Sequence, residues 1–236
     1  MYGSLVKRIV LTLVVVGLSA MSFARQEPGT VALYPRLGVN LSKLTGDIII
    51  YEATGLSSNT KYKFGCVLGL EAQYQFSPTF GIISGLLYSL EGSKYSDTTM
   101  ETETERWVVK DMSSDLHYLK LPLLLSMYIG KSSFQLKAGV QFGWLVKGKT
   151  SNTNEYYNND GDGWIFDESR SGRVESTSTS LFERFDLSIP IGVSYEYKHF
   201  VFEGRYNVGL RRVYKYVGSS VRNSNIIFTL GYCLNL

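Results

Sequence analysis

Apolar and polar residues alternate one by one along most of the chain. In the segment 134–147, Phe134 and Trp144 share one parity, whereas Gln135 and Lys137 share the other. Successive side chains of a β-strand point to opposite faces, so this pattern predicts strands whose two faces meet different surroundings. The same alternation predicts eight strands, at about residues 31–42, 63–76, 81–91, 118–127, 134–147, 185–196, 202–211 and 225–236.

The connections between the predicted strands alternate between short and long. Short turns follow the even-numbered strands, at residues 77–79, 130–132 and 198–199. Long segments follow the odd-numbered strands, at about residues 45–61, 92–115, 148–184 and 214–223. Short turns at one end and long loops at the other are typical of an up-and-down barrel that spans a membrane, with both chain termini at the short-turn end.

The polar face of these strands is rich in glycine and carries charges of both signs. In a soluble barrel this face would meet water and would be crowded with Lys, Glu and Gln. Glycine instead suits the inside of a narrow barrel, where opposite charges neutralise one another in a hydrogen-bonded network. The polar network predicted for the lumen comprises Arg36, Glu71, Glu91, Lys120, Lys137, Asp186, Glu196, Glu203, Arg205 and Arg211.

The apolar face is therefore predicted to contact lipid. Its aromatic members include Tyr88, Phe142, Trp144, Phe185 and Tyr232. Tilted strands of about 9 to 11 residues match the apolar band of outer-membrane barrels. The predicted fold class is all-β: an eight-stranded antiparallel up-and-down transmembrane β-barrel with short periplasmic turns and long extracellular loops. Side chains fill the interior of a barrel of this size, so we expect no diffusion channel.

The N-terminal segment has the pattern of a secretory signal peptide. Lys7 and Arg8 precede an apolar run at residues 9–20, and Ser22 and Ala24 are the small residues of a cleavage site. The run is shorter than the roughly 18 apolar residues that a membrane-spanning helix needs. We therefore expect residues 1–24 to be removed on export and residues 25–236 to form an integral outer-membrane barrel domain.

Composition supports a folded chain and gives no indication of a nucleic-acid partner. Hydrophobic residues make up 44% of the 236 positions, which is too many for a disordered chain. The formal net charge of +3 becomes +1 without the first 24 residues, which carry two positive and no negative side chains. Part of the apparent basicity therefore belongs to the targeting segment.

The two cysteines test the strand register. Cys66 has the apolar-face parity of the second predicted strand, and Cys233 has the polar-face parity of the eighth. Side chains on opposite faces of a sheet cannot be bridged, so we expect no disulfide even in an oxidising compartment.

Four segments resemble those of a known family. They are GLLYSLEG at 85–92, HYLKLPLLLSMYIG at 117–130, FEGRYNVGL at 202–210 and NSNIIFTLGYCLNL at 223–236. Over about residues 33–236, these segments and their order resemble the PorT-like outer-membrane β-barrel family. The resemblance implies an integral outer-membrane barrel, and one founding member of that family is associated with assembly of a protein-secretion machine.

One group of residues contains the types that a hydrolase uses. A five-residue stretch where the second long connection meets the fourth strand contains Ser113, Ser114, Asp115 and His117. No nucleophile-elbow motif accompanies these serines, and such residues are ordinary in loops. Catalysis is therefore not predicted.

A second group has part of a calcium-binding pattern. Asn158, Asp160 and Asp162 have the spacing of the first half of a calcium loop, and Gly163 follows them. The twelfth position, which should supply a bidentate glutamate, is Ser169. We interpret the segment as a solvated turn with weak calcium potential, and we predict no cofactor.

The long connections differ in charge. The second is mainly acidic, whereas the region around the fourth contains Arg211, Arg212, Lys215 and Arg222. Such segments could pair with each other, bind lipopolysaccharide phosphates or meet a partner protein, although exposed charge is also normal.

The expected function is that of a structural or interaction protein that presents extracellular loops. A link to assembly of a secretion machine follows from the resemblance alone. The predicted partners are outer-membrane lipid, lipopolysaccharide and an envelope protein. Two alternatives stay open, namely an outer-membrane lipid-modifying enzyme and a soluble periplasmic ligand-binding barrel.

Overall fold

The structure is a computed structural model that describes residues 26–46, 49–51, 56–57, 59–130, 132–215 and 220–236. The predicted signal peptide, its cleavage site and Arg25 at the start of the barrel domain lie outside the described residues. The strands are β1 (Val31–Thr45), β2 (Ile49–Tyr51), β3 (Leu56–Ser57), β4 (Thr60–Lys61), β5 (Lys63–Gln75), β6 (Phe80–Tyr95), β7 (Thr98–Glu101), β8 (Glu105–Tyr128), β9 (Phe134–Asn159), β10 (Trp164–Thr177), β11 (Phe185–Tyr197), β12 (Phe200–Arg212), β13 (Arg222–Tyr232) and β14 (Leu234–Asn235).

Eight of these strands close into a ring. The ring order is β1, β5, β6, β8, β9, β11, β12 and β13, and β13 pairs again with β1. Every pair is antiparallel, so each strand joins its neighbour in chain order. The predicted eight-stranded up-and-down barrel is confirmed, because each predicted strand overlaps one ring strand.

The three short turns and both ends of the described chain lie at one end of the ring, which we call the turn end. The backbone N–H of Cys233 donates to the carbonyl of His199, 2.6 Å away, in the turn between β11 and β12. The backbone N–H of Leu236 donates to the carbonyl of Val31 over 3.0 Å. Lys198 adopts a positive φ of 57° in the two-residue turn between β11 and β12.

The second and third long connections consist largely of paired strands rather than the expected loops. β8 and β9 continue far beyond the ring and pair from Glu105 opposite Asn158 to Tyr128 opposite Gln135. β7 pairs with the free side of β8, and β10 pairs with the free side of β9. The result is a four-stranded sheet in the order β7, β8, β9, β10 at the far end of the barrel. Threonine, valine and tyrosine in these segments favour extended chain, and pairing continues from strands that the barrel already aligns.

The apolar side chains of the ring strands point outward. Leu37, Phe64 and Leu125 are exposed by 67%, 75% and 51%, although they belong to regular strands. None of the described residues belongs to a helix long and apolar enough to cross a membrane.

The cysteines follow the predicted parity. Cys66 is exposed on the outer face, Cys233 is buried inside the ring, and both thiols are free. The prediction that the two cysteines lie on opposite faces of the barrel wall is therefore confirmed.

Candidate functional site

Five charged side chains meet in the middle of the barrel interior. Arg36 of β1 pairs with Glu71 of β5 over 2.7 Å and with Glu203 of β12 over 3.1 Å. Lys137 of β9 reaches Glu203 over 2.6 Å, and Arg205 of β12 reaches Glu71 over 3.0 Å. All five are nearly fully buried. Most of these strands are not neighbours in the ring, so the side chains meet across the interior and occupy it.

A second polar cluster lies nearer the far end. Lys120 of β8 pairs with Glu91 of β6 over 2.9 Å and with Asp186 of β11 over 3.3 Å. The side-chain amide of Asn223 on β13 and the hydroxyl of Ser89 also donate to Glu91. Charges removed from water require such partners, because an unpaired buried charge is strongly destabilising.

Glu196 lies apart from both clusters. It is buried near the turn end, close to Cys233 and Tyr34, and no ion pair of Glu196 occurs within the described part of the chain. Nine of the ten residues predicted for the lumen are thus buried inside the ring.

The prediction that the tenth residue, Arg211, lies in the lumen is wrong. It is exposed, and its guanidinium lies 5.3 Å from the ring centroid of Phe185 on the outer face. The pairing of β12 with β13 changes register between Val208 and Arg212. An irregularity of this kind breaks the strict alternation of faces, so parity counted from the middle of the strand fails at Arg211.

The predicted lipid-facing aromatic residues lie on the outer face. Trp144 and Tyr232 are exposed, and Tyr88, Phe142 and Phe185 are half-buried against their neighbours. Phe185 contacts both Phe142, at a centroid distance of 6.3 Å, and Trp144, at 5.9 Å. Phe142, Trp144 and Phe185 form a continuous aromatic surface on β9 and β11.

An apolar cluster closes the interior at the far end, and the sequence analysis missed it. Its buried members are Leu44, Tyr95, Leu116, Tyr118, Leu145, Phe182, Val213 and Val221. Phe182 comes from the segment between β10 and β11 and packs against Tyr214, with ring centroids 5.3 Å apart. A Cβ at Gly148 would lie 2.8 Å from the Phe182 ring, so glycine provides the space for this contact. The local sequence signal was Phe182, which follows Leu181 at the end of a long polar segment.

The sheet formed by β7, β8, β9 and β10 carries aromatic and cationic groups on both faces. On one face, Trp107 stacks on Tyr156 at 5.8 Å, and the Arg170 guanidinium lies 4.6 Å from the Tyr156 centroid. On the other face, Arg106 lies 4.7 Å from the Trp164 centroid.

Exposed ion pairs support this sheet. Lys110 Nζ and Glu155 Oε2 are 2.7 Å apart, and the Tyr157 hydroxyl donates to the same carboxylate over 2.8 Å. The hydrogen bonds from Lys110 and Tyr157 lower the pKa of Glu155, and the hydrogen bond to Glu155 raises the pKa of Lys110. Arg170 binds Glu105 over 2.8 Å, which raises the pKa of Arg170.

The calcium candidate forms the turn between β9 and β10. Asp160 Oδ1 accepts the backbone N–H groups of Asp162 and Gly163, at 3.0 and 3.2 Å. The side-chain amide of Asn158 donates to Asp167 over 3.3 Å. The three candidate ligands therefore do not converge. Over the described ranges, no group of three or more His, Cys, Asp or Glu residues is arranged to hold a metal ion.

The hydrolase-like residues are not brought together either. Ser114 is buried inside the barrel, where its hydroxyl contacts that of Tyr95 over 3.1 Å. His117 lies on the outer face, with Nδ1 hydrogen-bonded to the Tyr88 hydroxyl, and Asp115 pairs with Lys63. The barrel wall separates Ser114 from the histidine, and the Ser113 hydroxyl contacts that of Ser151 over 3.0 Å.

A closed ring with an apolar outer surface and a paired polar interior defines an integral outer-membrane β-barrel protein. The chain belongs to the family described as outer membrane protein beta-barrel domain, whose model matches residues 23–215. A comparison with curated protein sequences gives no match. The turn end is accordingly the periplasmic end, and the sheet of β7–β10 is extracellular.

Solved structures with a similar arrangement include several bacterial outer-membrane proteins. The attachment invasion locus protein Ail of Yersinia pestis is 14% identical, with a TM-score of 0.41 and coverage of 88% of this chain and 99% of that one. Neisserial surface protein A is 14% identical, with a TM-score of 0.38 and coverage of 85% and 97%. The outer membrane protease OmpT of Escherichia coli is 11% identical, with a TM-score of 0.34 and coverage of 91% and 100%.

Proposed function

We propose that this protein is a structural and interaction protein of the outer membrane that presents its extracellular sheet to a protein partner. The observation that carries the proposal is an apolar surface outside the barrel wall. On one face of β10, Ile165 and Val174 are exposed by 56% and 49%, and Phe166, exposed by 49%, lies on the opposite face. Apolar side chains that are exposed together outside the lipid region mark an interaction site more often than singly scattered apolar side chains do.

The residue types around this surface fit protein recognition. Trp107, Tyr156 and Arg170 form a stacked group on the face that Ile165 shares, because Ile165 pairs with Asn158 on the parity of Tyr156. Trp, Tyr and Arg are the residue types that contribute most to protein interfaces. The buried ion pairs of the barrel hold the sheet on a rigid support, which reduces the entropy lost on binding.

Site-specific photo-crosslinking in intact cells tests this function. A photoreactive residue at Ile165 should give a discrete adduct with one envelope or extracellular protein, and Trp107→Ala should reduce that adduct. The control position is Ser176, an exposed polar residue of the same strand. If Ile165 gives no more adduct than Ser176 in protein that is folded in the membrane, the proposal is wrong.

A finer assignment to the PorT-like group, with a role in assembly of a secretion machine, is supported by the resemblance of the segments 117–130 and 202–210. Co-purification from native envelopes tests it. Retention of secretion-apparatus proteins is the expected result. A stable partner unrelated to secretion would overturn this finer assignment and leave the interaction function intact.

The alternatives receive no such support. A soluble periplasmic barrel is contradicted by the outward-facing apolar belt and by the family. A lipid-modifying enzyme that used Ser114 and His117 together would need them on one side of the wall, and they lie on opposite sides.

A further inference from the structure

Three arginines cluster on the outer wall where the apolar belt ends on the extracellular side. Arg212 of β12 lies directly opposite Arg222 of β13, and Arg211 precedes Arg212. All three are exposed. We call Arg211, Arg212 and Arg222 the arginine patch. It lies just beyond Val208 and Leu210, which are exposed by 39% and 40% on the apolar surface of the same strand.

Within the part of the chain that the structure describes, the arginine patch has one carboxylate partner for its three guanidinium groups. Like charges that face each other across antiparallel strands destabilise a sheet, and Arg212 and Arg222 are such a pair. Glu183 contacts Arg212, with a distance of 3.4 Å from Arg212 Nε to Glu183 Oε1. Among the described residues, Arg211 and Arg222 have no carboxylate within ion-pair distance. A bound anion would relieve the repulsion between Arg212 and Arg222.

The position of the patch indicates what kind of anion fits. Arg211 packs its guanidinium over Phe185, which belongs to the outward-facing aromatic surface of the barrel wall. A ligand at the patch would thus be adjacent both to the lipid-facing wall and to water. Arginine binds phosphate through paired hydrogen bonds, and basic groups at a membrane boundary recognise phosphorylated head groups.

We propose that Arg211, Arg212 and Arg222 form a binding site for a phosphate group of a phosphorylated glycolipid in the outer leaflet of the outer membrane. The irregular register between Val208 and Arg212 builds the site, because it turns Arg211 to the outside next to Arg212. The site is separate from the extracellular sheet, so its existence does not depend on the protein partner proposed above.

Native mass spectrometry of the full-length barrel in detergent tests the proposal. The probe is bisphosphorylated lipid A, compared with its monophosphorylated form and with inorganic phosphate. We expect the wild type to retain bisphosphorylated lipid A, and Arg211→Gln with Arg222→Gln to bind it at least about tenfold more weakly, because each arginine–phosphate pair is charge-assisted. The control, Arg173→Gln with Lys198→Gln, makes the same change in charge away from the patch and should bind as the wild type does.

Thermal unfolding gives a second test, because a binding site and a merely structural role predict opposite changes in the unfolding temperature of Arg222→Gln without lipid A. Without lipid A, Arg222→Gln should unfold at a higher temperature than the wild type, because the repulsion with Arg212 is relieved. With bisphosphorylated lipid A, the order should reverse. Equal lipid A affinity of the patch variant and the control variant would overturn the proposal. Equal binding of free phosphate and lipid A would overturn its assignment to a glycolipid.

Discussion

Arg205 of β12 and Glu71 of β5 form an ion pair of 3.0 Å across the barrel, although β13 and β1 lie between their strands in the ring. With Arg36 bridging Glu71 and Glu203, the contact ties opposite parts of the wall together. The interior is therefore a packed polar core that makes the barrel a rigid support. The ion pairs and the Phe182 cluster occupy the interior, so we still expect that the pure protein forms no diffusion channel.

Removal of one carboxylate should show how much the interior depends on its pairing. Glu71→Gln leaves Arg36 and Arg205 with fewer negative partners in a buried site, so we expect a loss of about 3–5 kcal/mol in the free energy of unfolding. Urea titration of the barrel in detergent micelles measures it. Glu175→Gln, in the exposed pair with Lys149, should change stability little. Equal effects of the two substitutions would mean that the interior pairing is not structurally important.

The aromatic residue at the far end should matter for stability but not for permeability. Phe182→Ala removes a fully buried ring and should cost about 3–5 kcal/mol. Its neighbour Leu181 is 36% exposed, so Leu181→Ala should cost much less. In planar bilayers, the wild type and Phe182→Ala should both lack stable conductance, because the ion-pair clusters still fill the interior. Stable single-channel currents from either protein would contradict this.

The two free thiols should report which face of the wall meets lipid. In the folded protein in bilayers, a lipid-soluble maleimide should label Cys66, which is on the outer face. Cys233 is enclosed and should react only after denaturation. Peptide mass spectrometry measures both, with Cys66→Ser as the control. Labelling of Cys233 before Cys66 would show that the faces are reversed.

The pH dependence of the extracellular sheet should follow the pair of Lys110 and Glu155. The pKa of Glu155 is lowered in the folded state, so the contribution of the pair to stability is present above the ordinary glutamate pKa. It is lost as the pH falls through the lowered pKa. An NMR titration of the Glu155 carboxyl carbon should have a midpoint below the ordinary value, and Lys110→Met should raise that midpoint. A midpoint unchanged by Lys110→Met would exclude this pairing.

The extent of the extracellular sheet was not predictable from alternation. Trp107 and Tyr156 are 49 positions apart and pack together because β8 and β9 stay paired beyond the membrane. Their segments are too polar and too irregular in period to be distinguished from loops. The stacking of Arg170 on Tyr156 depends in turn on where β10 folds back onto β9.

Local alternation by itself determined the eight strands, the antiparallel order implied by short turns and the opposite faces of Cys66 and Cys233, because side-chain direction in a strand depends only on position parity. Tertiary structure alone decided which interior charges meet, how Phe182 packs at the far end of the barrel and that Arg211 points outward. These depend on register between strands that are distant in sequence, and a single irregularity in pairing shifts a side chain from one face to the other.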